Sequence, residues 1–272
     1  MFLLNRKSRY FLLALGLVGA MILWGTQKAS AITLVPPSLE FATQPGKTID
    51  TVIKLYNEGS DPINVYTSTA LFTAKDETGT PDFNFNNQPS DLATWIKAPT
   101  GPLGILAGER IEVPISIEIP AGAEPGGHFA GLFFETRPPD DTPGQVKVRQ
   151  KIGSLVILRV EGNVQESARV EKFAVDTLGA LRRLPVAFMT KVHNTGNVHV
   201  RPTGTIQIKN VFGRIVATLT INESGGAVLP NSTRRFDAIW RAQTDDETHG
   251  SFMAELGKEW HNFALGNYTA TF

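Results

Sequence analysis

Apolar and polar residues alternate along most of this chain. Ile111, Val113, Ile115, Ile117 and Ile119 alternate with Glu112, Pro114, Ser116 and Glu118, the period-two pattern of a strand buried on one face. Pro114 has no N–H to give a ladder, so this strand is expected at an edge or at a bulge. Ile49, Thr51, Ile53 and Leu55 share one face of an earlier strand, and Ile63 to Thr67 begins another after the turn Asn57-Glu58-Gly59-Ser60-Asp61-Pro62. Phe129 to Glu135 and Ile152 to Val160 are apolar on both faces, as central strands are. The second half repeats the style. Leu184, Val186, Phe188, Thr190 and Val192 alternate; Ile206 and Ile208 lead through Asn210-Val211-Phe212-Gly213-Arg214 into Ile215, Ala217, Leu219 and Ile221; Phe236, Ala238 and Trp240 follow. No segment has a helical period, a short turn at 252–257 excepted.

Many short strands separated by Gly, Pro and Asn turns predict an all-β chain of two tandem immunoglobulin-like β-sandwich domains. The boundary is expected at Glu161-Gly162-Asn163, giving a first sandwich over 32–161 with about seven strands and a second over 162–272. Gly266-Asn267-Tyr268-Thr269-Ala270 fits the F strand of an immunoglobulin fold, with Ala270 in the usual Cys position. It equally fits any glycine turn entering a strand. On the F-strand reading the second sandwich lacks its last strand and is completed by a partner or by the remainder of a longer protein.

Residues 1–31 read as a signal peptide. Arg6, Lys7 and Arg9 precede an uncharged, mostly apolar run from Phe11 to Gly25, and Ala29-Ser30-Ala31 gives the small-x-small cleavage pattern. The alternative is an uncleaved anchor. The whole chain has 26 basic and 26 acidic residues; the segment holds four basic and no acidic ones, so its removal leaves 22 against 26, a net of −4. That balance excludes a generic nucleic-acid binder and does not favour attraction to anionic lipid. The chain has no Cys, which excludes disulfides, thiolate metal sites and a Cys nucleophile. An exported chain without Cys fits a bacterial envelope or extracellular surface protein.

Catalytic motifs are absent, and no cofactor or metal is expected. Asp76, Glu77 and Asp82 lack the spacing of a calcium loop; His193 and His199 flank a turn without a third ligand; His128 has no evident partner. Aromatic residues are the better lead for binding. Trp240 alternates with Phe236 and reads as core. Trp95 and Trp260 lie in less regular segments, where a Trp face either stacks on a sugar or fills a core. Phe83 and Phe85 stand in a polar stretch, Asp82 to Asn87, expected as an exposed binding loop.

Ile32-Thr33-Leu34-Val35-Pro36-Pro37-Ser38-Leu39-Glu40-Phe41, then Pro45-Gly46, Tyr56-Asn57-Glu58-Gly59, Leu106-Ala107-Gly108-Glu109-Arg110 and Pro125-Gly126-Gly127-His128-Phe129-Ala130-Gly131-Leu132-Phe133-Phe134-Glu135 resemble the first domain of bacterial WxL-interacting proteins. More distantly they resemble the N-terminal domain of periplasmic pilus chaperones. Asn194-Thr195-Gly196-Asn197 through Pro230 resembles the second immunoglobulin-like domain of such surface proteins. The resemblance implies a cell-surface binding or adhesion protein whose first domain meets peptidoglycan and whose second meets surface proteins. A C-terminal membrane anchor would normally follow and is missing from this sequence. The alternative is a chaperone acting by β-strand exchange with a partner chain. Chaperones of that family grip a carboxylate with a basic pair; Lys151 matches one member, while Pro36-Pro37-Ser38 offers no Arg for the other.

Overall fold

The computed structural model describes residues 32–86, 88–136, 149–175, 184–241 and 269–271. The expected signal peptide (1–31), the turn at 252–257, Trp260 and Tyr268 lie outside them. Among the described residues no helix is long and apolar enough to cross a membrane.

The first sandwich contains β1 (Ile32–Val35), β2 (Ser38–Thr43), β3 (Thr48–Asn57), β4 (Ile63–Ala74), β5 (Pro81–Asn84), a one-turn helix α1 (Leu92–Trp95), β6 (Ile96–Lys97), β7 (Leu103–Ile105), β8 (Arg110–Glu118), β9 (Gly126–Thr136) and β10 (Lys151–Val160). One sheet has the order β1-β3-β8-β6; the other has β2-β10-β9-β4-β5, with β7 also on β4. Ten strands form where about seven were expected, partly because the first apolar run is split. Pro36 and Pro37 have no N–H to give, so β1 ends there and the chain crosses to the other sheet, where β2 runs parallel to β10. Pro114 lies on β8 beyond the reach of β6, which pairs only with Ile117 and Ser116; there β8 is an edge, as its proline requires. Ile53, Leu55, Ile117, Leu132, Phe134 and Leu158 fill the space between the sheets. Full burial of each contributes roughly 1.5–3 kcal/mol.

The second sandwich contains β11 (Ala168–Val175), β12 (Val186–Asn194), β13 (Gly204–Lys209), β14 (Ile215–Ile221), β15 (Thr233–Trp240) and β16 (Thr269–Thr271). Its sheets are β11-β12-β15 and β14-β13-β16. The separate core centres on Ile206, Ile208, Ile221 and Phe236, with Ala270 packed against it.

A buried asparagine closes the same corner in both halves. Asn57 ends β3 and Asn194 ends β12, both without solvent exposure. Asn57 donates from Nδ2 to the carbonyls of Asp61, Ile105 and Leu106, and its Oδ1 accepts from Gly59 N–H. Asn194 donates to the carbonyls of Val198 and Val228 and accepts from Gly196 N–H. An amide is needed because it alone offers two donors and an acceptor in one short side chain.

The two sandwiches touch through polar contacts. Gly127 N–H donates to Asn197 O at 2.8 Å and Arg235 N–H to Glu77 O at 2.7 Å. Glu40 faces both His199 at 2.6 Å and Arg201 at 2.5 Å, and Glu77 pairs with Lys191. Gly126, at φ 138°, leaves the room the approach demands: a Cβ there would stand 3.0 Å from Asn197 O.

Candidate functional site

The outer face of the sheet β2-β10-β9-β4-β5 looks toward the second sandwich, and one of its edges is half open. β2 covers β10 only from Leu155 to Val160. Leu155 N–H donates to Pro37 O at 3.0 Å, so odd-numbered residues of β10 turn their N–H and C=O toward β2, and even-numbered ones toward β9. Lys151 and Gly153 therefore point both backbone groups off the edge before β2 begins. No described residue pairs with them there. Their other side is secured: β9 pairs with β10 along its whole length, and Ser154 Oγ donates to Pro36 O at 2.9 Å. The result is a rigid, partly unsatisfied edge, the backbone template on which strands add.

A shelf of phenylalanines lies beside it. Phe133 stands 4.8 Å from Phe83 and 5.1 Å from Phe85, edge-on to both, and Phe72 stands 5.5 Å from Phe83. Two glycines make room: a Cβ on Gly131 would fall 2.7 Å from the rings of Phe133 and Phe83, and one on Gly153 would fall 2.6 Å from Phe133. The rings thus replace the missing side chains across the strands. Gly153→Val is expected to cost about 1–3 kcal/mol by lifting Phe133 off the sheet, read as a lowered urea midpoint. Strand propensity alone predicts the opposite sign, so unchanged or raised stability contradicts this packing.

Phe83 and Phe85 were expected on an exposed loop. Phe83 instead belongs to β5, which pairs with β4 through Leu71–Asn84 to Ala74–Pro81, because its ring gains more by covering Gly131 than by facing water. Phe85 remains half-exposed. Lys151 Nζ lies 4.4 Å above the Phe85 ring and 3.2 Å from Glu135 Oε2; it is already engaged and does not stand as the lone cation of a carboxylate grip. Trp95 is half-buried against the first core, with its ring 4.7 Å from the His128 ring. Trp260, the other tryptophan singled out, lies outside the described residues.

The histidines resolve differently from any metal reading. His193 Nδ1 faces Thr233 Oγ1 at 2.9 Å and His199 faces Glu40, so they do not converge; among the described residues no three metal-ligating groups cluster. His128 is held at both nitrogens, Nδ1 by Asp91 Oδ1 at 2.7 Å and Nε2 by Glu124 O at 2.9 Å. Burial alone lowers its pKa. The Asp91 and Glu124 hydrogen bonds and charges outweigh that, and the net shift is upward from 6.5. The stability this contributes is complete below the unfolded histidine pKa and is lost as pH rises through the higher folded value. Urea unfolding of the first sandwich should therefore show falling stability from mildly acidic to mildly alkaline pH, and Asp91→Asn should flatten that slope.

Two guanidiniums that the sequence did not reveal reach the gap between the sandwiches, a cavity of about 170 Å³ whose walls include Phe72, Leu155, Ile157, Leu229, Arg201 and Arg234. Arg234 donates to Ala227 O at 2.8 Å and has no carboxylate partner among the described residues. Burial, then the neighbouring Arg201 charge, lower its pKa from the ordinary arginine value.

No protein-family model matches the chain, and no curated protein matches it. Solved structures similar to it include the class 5 fimbriae chaperone CfaA, at 10% identity and TM-score 0.44 over 89% of this chain and 99% of that one. Others are the E. coli chaperone DraB, at 12% and 0.41 over 76% and 84%, and a chain of the CsuC–CsuE chaperone–tip adhesion subunit complex from Acinetobacter baumannii, at 11% and 0.40 over 80% and 90%. The fold assignment itself rests on the strand ladders and the two cores described above.

Proposed function

We propose that the chain is an exported envelope protein that binds an extended segment of a partner protein by β-strand addition along the first half of β10. This is a chaperone-like binding role and not catalysis. The observation that carries it is the outward N–H and C=O of Lys151 and Gly153, on a strand whose inner residues are locked in the core. A partner strand would satisfy these groups at about 0.5–1.5 kcal/mol net per hydrogen bond, and its outward side chains would lie beside the phenylalanine shelf. Export rests on the signal features of residues 1–31. The wall-binding and adhesion reading rests on the resemblance to WxL-interacting proteins; of the residues it would use, Trp95 is half-buried and Phe85 half-exposed.

The test uses an array of short peptides alternating apolar and polar residues, read by fluorescence anisotropy. Peptides that bind are then N-methylated at alternate positions. Methylation on the edge facing β10 should abolish binding, and methylation on the other edge should be tolerated. Equal tolerance of both, or no binding by any peptide, overturns the proposal.

A further inference from the structure

The end of the second sandwich farthest from the first carries an unusual surface. β12 runs toward the first sandwich and β13 runs away from it, so the β13–β14 hairpin stands at the distal pole with the start of β12 and the ends of β11 and β15. Among the described residues, six of the eleven exposed large hydrophobic ones gather here: Val175, Val211, Phe212, Ile215, Val216 and Ile239. Phe212 is 90% exposed and Val211 62%, at the two central positions of a turn where polar residues are usual.

This tip is not loose. Asn210 N–H donates to Arg214 O at 3.0 Å and Gly213 N–H to Asn210 O at 2.9 Å. Asn210 Oδ1 accepts from Phe212 N–H at 3.0 Å and Arg214 N–H at 3.1 Å. Gly213, at φ 76°, closes the turn in the left-handed conformation that glycine allows. The fold thus holds an aromatic ring out into solvent on a braced support. Lys209 and Arg214 flank it and Arg241 lies at the same pole; none has a carboxylate partner among the described residues, and no acidic residue occurs between Gly204 and Asn222.

From this arrangement we infer that the distal hairpin is a membrane-surface contact: Phe212 and Val211 enter the headgroup region of an anionic bilayer while Lys209 and Arg214 lie among the phosphates. The charge complementarity is local. At physiological salt, charges beyond about 8 Å are screened, so what the bilayer meets first is the hairpin tip, Lys209 to Arg214, which carries two cations and no acidic residue; the acidic Asp245, Asp246 and Glu247, which follow Arg241 in the sequence, lie outside the described residues. Docking at this end leaves the open half of β10, on the other sandwich, free for a partner. The inference stands independently of the strand-addition reading.

The chain has no Cys, so a single label can be placed without background. Val211→Cys carrying an environment-sensitive nitrobenzoxadiazole dye is mixed, in the full chain, with vesicles of phosphatidylglycerol and phosphatidylethanolamine. Gly101→Cys on the first sandwich is the control. The label at 211 should shift to the blue and brighten, whether or not residues 1–31 also anchor the chain, and the label at 101 should not. Adding Phe212→Ser should weaken the response about tenfold, and pure phosphatidylcholine vesicles should give a weaker one that salt hardly changes. No response at 211, a response indifferent to Phe212, or a shift that appears with rising protein concentration without lipid overturns the inference; the last outcome would mark the tip as a self-association surface.

Discussion

Lys151→Pro should abolish the capture of extended peptides while leaving both sandwiches folded. The reason lies in the alternation of β10. The Lys151 N–H faces the open edge, so its loss breaks no bond to β9, and proline is tolerated on an edge where the missing donor faces solvent. The ring also crowds the space an incoming strand would fill. Binding should fall at least about tenfold, equivalent to 1.4 kcal/mol or more. Lys151→Gln is the necessary companion. It removes the Glu135 ion pair and the contact over Phe85, a partly exposed set contributing at most about 1 kcal/mol, but keeps the N–H. Retained binding in Lys151→Gln with lost binding in Lys151→Pro assigns the effect to the backbone edge. Loss in both would assign it to the side chain and contradict strand addition.

The largest effect on stability is expected from Asn194→Ala. Truncation leaves Val198 O without its buried partner and takes one of two bonds from Gly196 N–H, which still donates to Ser167 O, and one of two from Val228 O, which still accepts from Val200 N–H. At about 1–3 kcal/mol for the one buried group left unpaired and about 0.5–1.5 kcal/mol for each of the two shared bonds lost, the cost should be about 2–4 kcal/mol, a large share of the ~5–15 kcal/mol that holds a domain folded. Urea unfolding should show the second sandwich melting early while the first keeps its midpoint. Asn194→Asp, nearly identical in shape, should be at least as damaging, because it turns a carboxylate oxygen toward two carbonyls. A shift well under 1 kcal/mol in both would mean that the asparagine does not brace the corner.

The alternating runs gave the architecture readily, because period-two burial is a local property of the chain: β8, β12 and β15 lie where Ile111 to Ile119, Val186 to Val192 and Phe236 to Trp240 alternate. The site was less legible. Whether β10 is a central or an edge strand depends on where β2, more than a hundred residues earlier, begins to cover it. Its apolar composition predicts a central strand, and that holds only for its second half. Phe83 and Phe85 stood out in the sequence, but their setting did not, since the glycines that receive the rings lie on other strands. Arg234 carries no local signal, because the cavity it enters is made by both sandwiches. The asparagine corners did leave a trace: Asn-x-Gly follows an alternating strand at Asn57 and again at Asn194, a repeat that turn propensity alone explains away.

The most direct measurement of the central claim is residue-resolved amide exchange of the chain, free and with a bound alternating peptide. In the free protein the Lys151 and Gly153 amides should exchange at nearly unprotected rates, while Leu155, bonded to Pro37 O, exchanges slowly. Bound peptide should protect Lys151 and Gly153 and leave Leu155 as it was. Protection of Lys151 and Gly153 already in the free chain, or a peptide that protects some other edge and not this one, would contradict the account.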